Sequence, residues 1–111
     1  MYYIESKATE NDRFDFSMLT QTQHDGLLDK SKIKNVFGLV IVLFATQKRA
    51  FVIDIREIKR LEDEGIKSLN INKRDKKGWP CCSAEIRTIP NNRKLLLDYQ
   101  GEIEEYITWL T

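Results

Sequence analysis

Glu5 and Lys7 are the residues through which this chain could do chemistry. They stand two apart in Tyr2-Tyr3-Ile4-Glu5-Ser6-Lys7-Ala8, and along a β-strand successive side chains alternate between faces. Tyr3, Glu5 and Lys7 then share one face, and Tyr2, Ile4, Ser6 and Ala8 the other. A carboxylate and an ammonium aimed into the same space divide a task between them. The carboxylate holds a divalent cation, and the ammonium steadies an anionic substrate or a water. That is half of a site for phosphodiester cleavage. The acidic-x-Lys pattern recurs at Glu57-Ile58-Lys59 and Asp75-Lys76-Lys77. Glu57 lies in a helical pattern, where positions two apart are about 200° apart and the side chains diverge. Asp75 lies in a polar run that reads as a loop, so only the first copy sits on a predicted strand.

Other chemistries lack material. There is one histidine, His24, which leaves little for Ser-His or Cys-His catalysis. The two cysteines are adjacent, Cys81-Cys82, with no C-x-x-C spacing or His cluster for zinc, and read as reduced thiols of a cytoplasmic protein. No glycine-rich phosphate loop is present, which sets nucleoside-triphosphate hydrolysis aside. The length of 111 residues allows one domain with a modest core and no need of staples. A net charge of +1 argues neither for nor against a nucleic-acid partner, so any basic surface must be local. The most basic stretch, residues 70–78, holds Lys73, Arg74, Lys76 and Lys77 and runs into Trp79-Pro80. It reads as a solvated loop, or as DNA-binding cations on phosphates with an aromatic ring on a base. The longest apolar run, residues 36–45, is too short to span a bilayer, and no signal peptide is evident.

The elements that must position Glu5 and Lys7 follow from periodicity. Residues 19–33 read as a helix in which Leu19, Gln23 and Leu27 fall at i, i+4, i+8, with Gly26 beside them where a backbone can approach closely. Gln23 then looks inward; the alternative is that Thr20-Gln21-Thr22-Gln23 is simply a polar first turn. Residues 37–44 show no alternation and are rich in branched side chains, as in a central strand covered on both faces. Residues 46–49 turn the chain, 50–54 form a hairpin partner, and 55–61 form a short helix stopped near Gly65. Residues 83–89 read as an edge strand ended by Pro90, 94–99 as another short strand, and 101–110 as an amphipathic closing helix. Helices packed on a largely buried central strand give an α/β (α+β) layer arrangement.

This order of features resembles the PD-(D/E)XK nuclease superfamily, and within it the RecU-type Holliday-junction resolvases. Tyr3-Ile4-Glu5-Ser6-Lys7 matches the family's Glu-x-Lys strand. Phe14-Asp15-Phe16 leads into the helix where the family has His-Gln and this chain has Thr22-Gln23. The apolar strand at 38–44, Phe51-Val52-Ile53 and Leu97-Asp98-Tyr99 follow. The resemblance implies a restriction-endonuclease-like core, a central mixed sheet flanked by helices. It also implies a Mg²⁺ (or Mn²⁺)-dependent endonuclease of DNA recombination and repair that cuts branched DNA, usually as a homodimer. Glu5 would be a metal ligand, with the Ser6 backbone carbonyl offering a second oxygen. Lys7 would orient the attacking water or stabilise charge on the phosphate, and Gln23 would help position water or metal.

In one respect the sequence departs from the family, which has an Asp on the strand before Glu-x-Lys and an acidic residue on a helix before that. Here four residues precede Glu5. The expectation is one nuclease-like domain over 1–111, truncated at its N-terminus relative to the family. Three explanations compete. The chain is a non-catalytic DNA-binding or partner-binding relative; its missing strand comes from a second polypeptide; or Asp12 or Asp15 supplies the second acid. The first two rank ahead of self-sufficient catalysis.

Overall fold

The apolar run becomes the interior strand on which everything else is laid. In the computed structural model, which describes residues 1–73 and 83–86, it forms β3 (Phe37–Phe44), with β1 (Tyr2–Thr9) on one side and β4 (Arg49–Asp54) on the other. β1 runs parallel to β3, and β4 runs antiparallel to it through a turn at 45–48. A short β6 (Ser83–Ile86) pairs antiparallel with β4, giving the order β1-β3-β4-β6. This is the expected mixed central sheet, and Ser83–Ile86 is the edge strand read from the sequence, as far as the described residues go. A parallel pair needs a crossover, usually helical, and α1 (Gln21–Ser31) supplies it between β1 and β3.

The lack of alternation in β3 has the predicted cause. Val40, Val42 and Phe44 join the core under the helices with Phe14, Phe51, Ile53, Ile58 and Leu61. Leu39 and Ile41 are buried on the other face with Val52, Ala84 and Ile86, against the partly buried Tyr2 and Ile4 of β1. α2 (Ile55–Asp63) starts at Asp54, whose side chain accepts the Arg56 backbone N–H. It stops where predicted: Gly65, at φ +85°, and Ile66 donate their N–H groups back to the carbonyls of Glu62 and Leu61, a Schellman closure that needs a left-handed residue. Glu57 bonds Arg60 and Lys59 bonds Asp63, so the helical acidic-x-Lys copy diverges as expected.

Two expectations need correction. The helix predicted over 19–33 spans Gln21–Ser31, because Thr20 caps it and Leu19 is buried ahead of the cap in extended backbone. Gly26 is not the point of close approach, since nothing lies within 4 Å of where its Cβ would be. That role belongs to Gly38 of β3, where a Cβ would stand 2.6 Å from the Leu27 carbonyl oxygen. A small second sheet was not anticipated from the sequence. β2 (Arg13–Asp15) pairs antiparallel with β5 (Ser68–Asn70) and buries Phe14 and Leu69. The predicted elements at 94–99 and 101–110, and the cysteines, lie outside the described residues. Among the described residues no helix is long and apolar enough to cross a membrane.

Candidate functional site

Glu5 and Lys7 project from β1 onto the face that α1 covers. Lys7 Nζ stands 3.8 Å from Glu5 Oε1, with 21% of the Lys7 side chain and 32% of the Glu5 side chain exposed. Gln23 completes the group, donating from Nε2 to Glu5 Oε1 at 3.0 Å. The three residues singled out from sequence therefore meet.

Gln23 satisfies both of its sequence readings at once. Thr20 Oγ1 accepts the Gln23 backbone N–H at 3.1 Å, and Gln23 Oε1 accepts the Thr20 backbone N–H at 3.1 Å, a reciprocal capping box. Oε1 is thereby committed to a backbone donor. Turning the amide over would set its NH₂ against that N–H, so Nε2 is the atom that faces Glu5. The helix cap and the site residue are one side chain, locked at both ends. Replacing Thr20 by alanine is expected to cost about 1 kcal/mol in a denaturant melt, as loss of an N-cap does. It should also raise the mobility of the Gln23 amide in side-chain NMR, whereas an unchanged amide signal would refute the locking.

The backbone of β1 adds a further oxygen. The Met1 carbonyl accepts from Phe37 N–H and the Thr9 carbonyl from Ala45 N–H. In an extended strand the carbonyls alternate in direction, so the odd-numbered ones face β3. The Ser6 carbonyl then points away from β3, along the edge of β1 that no described strand covers. Glu5 Oε2 accepts no hydrogen bond among the described residues. Two hard oxygens, the unbonded Glu5 Oε2 and the Ser6 carbonyl of the next residue, are thus offered by adjacent positions of β1, and oxygen donors of this kind suit Mg²⁺.

The alternative acids do not join them. Both carboxylate oxygens of Asp12 accept side-chain amides, one from Gln47 and one from Asn72. Asp15 pairs with Arg13 and lines a cleft of about 680 Å³ with His24, Lys59, Glu62, Asp63 and Lys67, a cleft that contains none of Glu5, Lys7 or Gln23. Among the described residues no group of three or more His, Cys, Asp or Glu side chains is placed to hold a metal. Lys73 is exposed at the end of the described segment, and Arg74, Lys76 and Lys77 lie outside it.

A family model described as RecU, Recombination protein U, matches residues 2–105. The chain belongs to the RecU family of Holliday-junction resolvases. Its function is accordingly resolvase-like, a nuclease-class role on DNA in recombination. No curated protein matches the chain. The match takes in β1, α1, β3 and β4, so the RecU assignment covers the elements that carry Glu5, Lys7 and Gln23.

One interaction beside Gln23 was not legible in the sequence. His24 Nε2 lies 2.7 Å from Glu62 Oε1 of α2, and its Nδ1 lies 3.3 Å from Asp25 Oδ1. Burial works against the charged ring, but the hydrogen bonds and charges of Glu62 and Asp25 outweigh it, so the His24 pKa is raised above its ordinary value. A histidine whose folded pKa exceeds its unfolded one contributes its full stability below about pH 6.5. That contribution is lost as pH rises through the folded value. Thermal melts should therefore show the protein losing stability as pH rises above about 6.5 by a component that His24→Gln abolishes; parallel pH profiles would rule the link out.

Proposed function

We propose that this RecU-family chain is a divalent-metal-dependent endonuclease of branched DNA, of PD-(D/E)XK type, in which Glu5, Lys7 and Gln23 work on the scissile phosphate. The observation that carries the reading is the convergence of Gln23 Nε2 and Lys7 Nζ on one oxygen of Glu5, which leaves the other oxygen without a hydrogen bond among the described residues. Glu5 and the Ser6 carbonyl would hold Mg²⁺ or Mn²⁺. The metal, when bound, supplies Lewis-acid stabilisation of phosphoryl charge and a more acidic water. Gln23 fixes the Glu5 carboxylate so that it need not reorganise. Lys7, held at the same carboxylate, orients the attacking water and opposes the charge that builds on the phosphate oxygens.

Magnesium binds poorly to one carboxylate and one carbonyl. The second carboxylate would then come from a second copy in a homodimer or from another polypeptide. A second reading is favoured by Glu5 being the one carboxylate at the site among the described residues: a non-catalytic relative that binds DNA, through Lys73, Arg74, Lys76 and Lys77, or binds a complete nuclease. Incubating the chain with a four-way junction and with linear duplex, in Mg²⁺, Mn²⁺ or EDTA, separates these. Metal-dependent incision of the junction is expected. Junction binding without incision in any metal would move the assignment to the second reading, and failure to bind the junction at low salt would refute both.

A further inference from the structure

Gln23 and Lys30 of α1 are seven residues apart, two helical turns, and so face the same way. Both reach β1: Gln23 bonds Glu5, and Lys30 Nζ lies over the Tyr3 ring at 5.0 Å from its centroid. Tyr3 shares the strand face of Glu5 and Lys7, and alternate residues on a strand are about 6.6 Å apart. That is close to two base steps of about 3.4 Å each along one DNA strand. Tyr3 keeps 38% of its surface exposed, unlike the buried rings of Phe14, Phe44 and Phe51. Lys30 is exposed and makes no ion pair among the described residues, whereas its neighbour Lys32 pairs with Asp29. A part-exposed aromatic ring, with the Lys30 ammonium resting over its face, thus stands one strand period from Glu5.

We propose that Tyr3 and Lys30 form a nucleotide-holding subsite in which an unpaired base next to the scissile phosphate takes the place of Lys30 over the Tyr3 ring and Lys30 swings from the ring to that nucleotide's phosphate. The inference rests on Glu5 and Lys7 marking the scissile phosphate. It supplies a physical source of branch preference. Bases in linear duplex are already stacked on each other, while a base at a branch point can be unstacked and offer a free face. Stacking tolerates any base, because every base has a π-face. The subsite therefore selects structure rather than sequence.

The test uses the full chain in EDTA, so that binding is read without cleavage, with a four-way junction carrying 2-aminopurine at the branch point and a linear duplex of the same sequence. The wild-type protein is expected to prefer the junction and to change the 2-aminopurine fluorescence. Tyr3→Leu keeps an apolar side chain without the π-face, and should lower junction affinity about tenfold while leaving duplex affinity within about twofold. Tyr3→Phe should behave as wild type. Lys30→Ala should weaken binding to both DNAs and reduce the salt slope by about one. Wild-type binding with junction preference but no fluorescence change, or with the preference intact in Tyr3→Leu, overturns the subsite and leaves the nuclease reading standing. A wild-type protein without junction preference overturns both, and the wild-type fluorescence decides the matter even if a variant fails to fold.

Discussion

Replacing Gly38 by valine is expected to destabilise the protein by about 3 kcal/mol and replacing it by alanine by about 2 kcal/mol, within the range for overpacking a tight contact. A Cβ at this position would stand 2.6 Å from the Leu27 carbonyl oxygen, 3.2 Å from its carbon and 3.0 Å from Ile55 Cγ2. The first two atoms are helix backbone and cannot rotate aside, so α1 as a whole must lift from β3. The same helix face carries Gln23 and Lys30, so lifting it also draws Gln23 from Glu5 and Lys30 from Tyr3. The loss should appear in a urea melt as a lower midpoint with unchanged slope, and any cleavage activity should fall with it. Gly26→Ala is the opposite control. Gly26 is in the same helix with nothing within 4 Å of its missing Cβ, and alanine there should stabilise by about 1 kcal/mol. A neutral Gly38→Ala would mean that the helix is not seated on β3 as described.

The two glycines also show where the sequence stops being legible. From spacing alone Gly26 was the better candidate for a close approach, because it stands beside the inward Leu19-Gln23-Leu27 row. Which glycine is used depends on how α1 is rolled over the sheet, a tertiary fact with no local signature. The central strand was legible because burial on both faces leaves a continuous apolar run, and β1 because its alternation places Tyr3, Glu5 and Lys7 together. The pairing of β2 with β5 was not, since three-residue strands 55 positions apart in register, Phe14 with Leu69, carry too little pattern. The His24–Glu62 contact joins residues 38 apart and was hidden for the same reason. Asp12 and Asp15 were reasonable substitutes for a second acid by proximity in sequence. The structure spends Asp12 on tying loops together through Gln47 and Asn72, and places Asp15 on a different cleft. Glu5 and Lys7 were legible because they lie on one face of one strand; Gln23 was joined to them by its inward helix position together with the resemblance to the resolvases.

Glu5→Ala and Lys7→Met are expected to fail in different ways, and the difference tests the division of labour between them. Glu5 Oε2 is the one side-chain oxygen of the trio without a hydrogen bond among the described residues, so its loss should abolish the heat of Mn²⁺ binding in a calorimetric titration, and with it junction cleavage. Lys7 contributes no metal ligand. Lys7→Met keeps the length and apolar stem of the side chain, so the metal should still bind, while cleavage falls by about 10²–10³, the usual cost of removing one group that stabilises transition-state charge. Neither substitution should change thermal stability much, because a partly exposed pair at 3.8 Å adds at most about 1 kcal/mol. Gln23→Ala should lie between them, weakening both metal binding and rate by leaving the Glu5 carboxylate free to turn. If Lys7→Met loses metal affinity as completely as Glu5→Ala, the two residues act as one electrostatic unit and the assignment of Lys7 to the water and phosphate is wrong. If Glu5→Ala still binds Mn²⁺ with the same heat and still cuts, the metal is held elsewhere and the β1 edge is not the catalytic site.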